Sequence, residues 1–135
     1  MIQRTKFKLS VYALLFIIAS ILIGWGWSVS LAYQRDADRL ADMSLLRVRW
    51  VDYYHLFATY ELTDCSTDGQ IDECRGDERH PFGAGDIVDP VNAGEFRYVV
   101  DVLTPETFAV RFTLERGVAS LERGQYVMTP DGVKR

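Results

Sequence analysis

The sequence predicts an α+β fold: one long N-terminal helix packed on a small antiparallel sheet of about three strands. Three observations carry this. An uncharged run of 26 residues, Leu9–Gln34, opens the chain. An apolar pattern of helical period continues from it without a Pro or Gly between Ser28 and Thr67. Two segments near the end then alternate apolar and polar residues with the period of a half-buried strand.

The run Leu9–Gln34 is long enough, at about 1.5 Å of rise per residue, to cross a hydrocarbon core of roughly 30 Å. Arg4, Lys6 and Lys8 precede it and no acid does. Basic residues on that flank keep it in the cytoplasm and put the remainder outside. The boundaries that follow are a basic flank (1–8), a transmembrane helix (9–34) and an extracytoplasmic domain (35–135). A cleavable signal peptide shares the basic start and the small residues Ser30 and Ala32, but its apolar region usually runs only about 7–15 residues. Trp25 and Trp27 suit a membrane–water interface, which favours a helix that stays in the bilayer. Ser20 and Gly24 form a small-xxx-small pair, extended by Ser28, of the kind that lets membrane helices approach closely.

Beyond the span, Leu40, Met43, Leu46, Trp50, Tyr53, Tyr54, Phe57 and Tyr60 recur at spacings of three and four. They form one broad stripe on a helix over 35–60, the surface on which a domain packs. Leu45, Val48 and Leu56 fall off that stripe and are either subunit contacts or scattered surface apolars. Positions 63–94 read as a long polar loop. Glu95–Val102 and Thr107–Glu115 alternate and are joined by a turn at Pro105, so they pair as a hairpin. Gln125–Thr129 reads as a third short strand, ended by Pro130-Asp131-Gly132.

The domain after the span holds 12 of the 15 basic residues and all 19 acids, a net charge of −7. Such a balance, with no basic stripe, excludes nucleic acid as an expected partner. The two cysteines, Cys65 and Cys74, can bridge outside the cytoplasm, where thiols oxidise. Asp64, Ser66, Asp68, Gly69, Ile71 and Asp72 match the spacing of a calcium loop, with oxygen ligands at alternate positions and a Gly at the sharp turn. The twelfth position, where a bidentate carboxylate would complete the site, is Arg75, whose charge opposes a cation. His55 and His80 share no motif. There is no nucleophile elbow, phosphate-cradling loop or Cys-x-x-Cys, and an enzyme is not expected.

Arg35-Asp36-Ala37-Asp38-Arg39-Leu40-Ala41-Asp42-Met43, the pair Tyr53-Tyr54, the strand Phe108–Glu115, Leu121, Gly124 and the tail Thr129-Pro130-Asp131-Gly132-Val133 together resemble type IV pilins and type II secretion pseudopilins. The resemblance covers Arg35–Tyr60 and Phe96–Val133. It implies a long helix, half in the membrane, with a sheet on its outer half, and a structural subunit that packs against like or related subunits of a pilus or secretion-type assembly. The chain departs from that family at its membrane end. Phe7 follows Lys6 rather than glycine, and no acid appears before Asp36, so neither the leader cleavage site nor the early glutamate stands in this sequence. The alternative expectation is a monomeric anchored binding module, with calcium held by the 64–73 loop.

Overall fold

A computed structural model describes residues 2–77 and 80–135, with side chains from position 12 onward except at 77 and 80. The side chains of Arg4, Lys6, Lys8 and His80 therefore lie outside the described set. One helix, α1 (Ile2–Phe57), carries the whole first part of the chain. The chain then makes two two-residue strands, β1 (Gly76–Asp77) and β2 (His80–Pro81), which pair antiparallel. Four more follow: β3 (Val99–Leu103), β4 (Phe108–Val118), β5 (Leu121–Thr129) and β6 (Gly132–Lys134). These form one antiparallel sheet in the order β3-β4-β5-β6.

The structure corrects the expected three strands to four. Thr129 pairs with Gly132 across a turn at Pro130–Asp131, so the apparent terminator is a two-residue connection into β6. Lys134 closes that turn by an ion pair with Asp131 at 2.8 Å. The third strand also begins earlier than Gln125. Gly117 pairs with Glu122 and Val118 with Leu121, so the segment between Gly117 and Gly124 is the turn end of a long hairpin.

The helix stops at Phe57 rather than Tyr60. Ala58 takes a left-handed conformation (φ 56°) while its N–H still reaches the Tyr54 carbonyl at 2.8 Å. That conformation costs a non-glycine residue energy and ends helices. Tyr60 then folds back, stacking on Tyr54 with centroids 4.5 Å apart and donating its N–H to the Pro105 carbonyl.

Met43, Leu46 and Trp50 are fully buried against Phe108, Val110, Phe112 and Leu114 of β4. Trp50 stacks on Phe108 at 4.3 Å, tilts against Phe82 at 4.8 Å and donates Nε1–H to the Tyr60 carbonyl. Such pairs contribute about 0.5–1.5 kcal/mol beyond area burial. Leu40 and Tyr53 are half-buried at the edge of this core. Tyr54 and Phe57, placed on the same stripe by the sequence, stand exposed, because the helix ends there.

The segment read as a long polar loop contributes Ile71, Phe82, Ala84 and Ile87 to the core, and Leu62 joins them from just before it. It is clamped by backbone bonds to β3 and the residue before it: Ile71 N–H to Tyr98 O, Asp68 N–H to Val100 O, and Val100 N–H to Gly69 O.

Candidate functional site at the joint of helix and sheet

The inner part of α1 is long and apolar enough to cross a membrane, and its apolar window is uncovered by the rest of the chain. Phe16, Ile23, Trp25 and Trp27 are all at least 65% exposed. Burying such surface in hydrocarbon removes the cost of leaving it in water. Ser20 donates its hydroxyl to the Phe16 carbonyl and Ser28 to the Trp25 carbonyl, both at 2.8 Å. Their polar groups are thus satisfied within the helix, and a Cβ at Gly24 would meet nothing within 4 Å. These three positions form an open strip.

Where the helix passes from apolar to charged sequence, a buried ionic joint binds it to the sheet. A bulge between Leu114 and Gly117 releases two β4 residues from the ladder with β5. Bulges of this kind free backbone donors and re-aim them. Asp36 takes them: its carboxylate accepts the N–H groups of Glu115, Arg116 and Gly117 at 2.9, 2.8 and 2.9 Å. Gly117 sits at φ +100°, and a Cβ there would lie 2.4 Å from the Leu121 carbonyl oxygen, so the turn requires glycine.

Arg39, one turn further on, gathers the remaining charges. Its guanidinium binds Asp89 through Nε and Nη2 at 2.6 and 3.0 Å, and Asp36 and Glu115 through Nη1 at 2.7 and 2.8 Å. Its plane also lies over the Phe96 ring, 4.8 Å from the centroid. Asp36 and Arg39 are completely buried and Asp89 nearly so. Asp89 in turn accepts the N–H groups of Val91 and Asn92. Arg35 closes the outer side with a two-point grip on Glu115 at 2.7 and 2.6 Å.

The electrostatics follow from this geometry. The grip of Arg35 lowers the Glu115 carboxyl to about 2; burial opposes that shift and Arg39 adds to it. Burial also opposes the charge on Arg39, but its bonds to Asp89, Glu115 and Asp36 outweigh it and its pKa rises. Nearly one turn further along α1, Asp42 accepts the Tyr98 hydroxyl at 2.8 Å. Burial raises the Asp42 carboxyl above its usual range, partly offset by that bond. A joint of this kind gives register and rigidity, because every charged group in it is engaged by a partner.

The loop read as a calcium site carries protein contacts of its own. Both Asp64 oxygens accept backbone N–H groups, of Arg75 at 2.8 Å and Gly76 at 3.0 Å. Asp68 adopts φ 66° to send its own N–H to β3. Ser66 and Asp72 lie on the same loop, but among the described residues no group of three or more His, Cys, Asp or Glu is arranged to hold a metal ion. The loop is held by protein groups: the disulfide expected between Cys65 and Cys74 is present and closes a nine-residue separation.

An open groove of about 480 Å³ runs between α1 and the last hairpin, lined by Arg47, Val48, Val51, Asp52, Met128 and Val133. Asp36, Arg39, Asp89 and Glu115 are the residues that sequence reasoning missed as a unit. The available signal was that positions 36 and 39 share a helical face with 43, 46 and 50. No family model, curated protein or solved structure matches this chain.

Proposed function

We propose that this chain is a membrane-anchored, pilin-like structural subunit that acts by packing rather than by catalysis. The observation that carries the reading is the continuity of α1. One helix runs from an uncovered apolar half into a half buried under the sheet, and the ionic joint at Asp36 and Arg39 locks the two together. The domain is thereby held at a fixed height and rotation relative to the anchor, as an assembly subunit needs.

Two surfaces support association with like or related subunits. In the bilayer, the strip Ser20, Gly24 and Ser28 allows close approach of a second helix. Outside it, Leu45, Val48 and Leu56 are 43%, 57% and 70% exposed on the helix, outside the buried core. The basic flank orients the domain to the extracytoplasmic side, where the disulfide is stable.

The test is cysteine cross-linking in native membranes. Gly24→Cys is expected to cross-link between copies, and Gly24→Leu to lower self-association in a membrane two-hybrid assay. A chain that stays monomeric in both and co-purifies with no membrane subunit would overturn the reading.

A further inference from the structure

We infer that the β4–β5 turn is a second membrane contact, in which Arg116 and Arg123 take lipid phosphates while the tip Ala119–Ser120 sits in the headgroup layer. The inference rests on reading α1 as the anchor.

The direction of β4 places the turn. Phe108 lies against Trp50, and Glu115–Gly117 lie against Asp36, so β4 runs back along α1 toward its apolar half. Beyond Gly117 the hairpin continues the same way. Ala32 is only 6% exposed and Val29 is half-buried, although both belong to the apolar run. That is the level to which the turn projects. A hydrocarbon core of roughly 30 Å takes about 20 helical residues. Counted from the start of the apolar run, it ends between about Ser28 and Leu31. The headgroup layer adds roughly 5–7 Å on each side, which covers the next few residues. Trp25 and Trp27, exposed just below, are the side chains that prefer this boundary.

The chemistry of the turn fits the layer. Residues 116–123 contain two arginines and one acid, in a domain whose net charge is −7. Glu122 is engaged by Arg135, whereas neither Arg116 nor Arg123 is ion-paired among the described residues. Arg116, Ala119, Ser120 and Arg123 are exposed. Val118 and Leu121 face the core instead. A predominantly acidic domain is repelled by anionic lipid, so a basic tip turned toward the bilayer sets its standing orientation.

The test uses the full chain in vesicles. Its own cysteines are disulfide-bonded, so one introduced thiol labels selectively. A nitrobenzoxadiazole fluorophore is placed at Ser120→Cys, Glu106→Cys or Phe16→Cys. Glu106 lies at the far end of β4, about 36 Å away at strand rise. Nitroxide lipids labelled on the headgroup are expected to quench position 120 several-fold more than position 106. Arg116→Glu with Arg123→Glu is expected to lower that quenching in phosphatidylglycerol vesicles more than in phosphatidylcholine. Equal quenching at 120 and 106, with position 16 shielded from aqueous iodide, overturns the contact and leaves the anchor standing. Position 16 open to iodide overturns both. Quenching unmoved by the charge reversals overturns phosphate recognition.

Discussion

The carboxylate of Asp36 accepts the backbone N–H of Gly117 at 2.9 Å, 81 residues away in sequence. With the N–H groups of Glu115 and Arg116 it satisfies three donors at and beside a sheet bulge. The side chain therefore does for β4 what a neighbouring strand would do. Asp36→Ala leaves those donors without acceptors and deprives Arg39 of one anion. The expected loss is about 3–5 kcal/mol, the usual cost of breaking a buried charged pair. Asp36→Asn keeps one acceptor oxygen and is expected to lose less. Urea unfolding of the detergent-solubilised chain, followed by tryptophan fluorescence, measures both; equal midpoints for Asp36→Ala and wild type would sink the assignment.

Arg39 distinguishes charge from geometry. Lysine keeps the charge but has no planar fork, so Arg39→Lys cannot bind Asp89 at two points while reaching Asp36 and Glu115. Methionine removes the charge and leaves two buried carboxylates uncompensated. Arg39→Met is expected to cost about 3–5 kcal/mol and Arg39→Lys roughly half of that. Arg39→Met combined with Asp89→Leu is expected to recover part of the loss, because a buried carboxylate goes with it. A double mutant as unstable as the sum of the two singles would argue against direct coupling.

The contrast between the stripe and the joint shows what local pattern can carry. Met43, Leu46 and Trp50 announce their burial by spacing alone, as do the alternating residues of β4. Tyr54 and Phe57 share the spacing but lie in the last turn, and Ala58 ends the helix with no Gly or Pro to signal it. Thr129-Pro130-Asp131-Gly132 reads as a stop because a turn and a terminus use the same residues; only the pairing of β6 separates them. The charges of Asp36 and Arg39 give no local sign of burial. Their burial depends on Asp89 and Glu115, 50 and 76 residues from Arg39, and no local period encodes such distant partners. The calcium-like spacing has a second use that local pattern does not show. An Asp-rich turn can spend its carboxylates on backbone N–H groups, as Asp64 does.

Glu115 makes stability depend on pH with a definite sign. Its carboxyl ordinarily titrates near 4.5 and is held at about 2 in the folded chain. A depressed acid contributes stability that is fully present above its unfolded pKa and is lost as pH falls toward the folded one. Between about pH 4.5 and 2 the chain is expected to lose on the order of 2 kcal/mol from this group, discounted for its exposed edge. Asp42 acts oppositely: its pKa is raised, so its contribution is present at low pH and lost as pH rises through the folded value. Glu115→Gln is expected to be less stable than wild type at neutral pH and to show a shallower acid limb. Melting curves across that window check this; an unchanged acid limb in Glu115→Gln would place the sensitivity elsewhere.

The disulfide and the Asp64 clamp close the same loop from adjacent points. Cys65 bonds Cys74, and the neighbouring Asp64 holds the N–H groups of Arg75 and Gly76. On the chain-entropy model a loop of this length gives the bridge about 2–3 kcal/mol. Cys65→Ser with Cys74→Ser is expected to cost that much, and Asp64→Ala about 1–2 kcal/mol through two lost charge-assisted acceptors. Because either change lets the same segment open, the two are expected to combine to less than their sum. Calcium at 1 mM should leave every melting midpoint unmoved. A site of Kd about 10 μM would instead add about 2.7 kcal/mol by mass action. A calcium-dependent rise in the wild type that disappears in Asp64→Ala would return the loop to a metal-binding role; subadditive losses without such a rise identify it as a protein-held clamp.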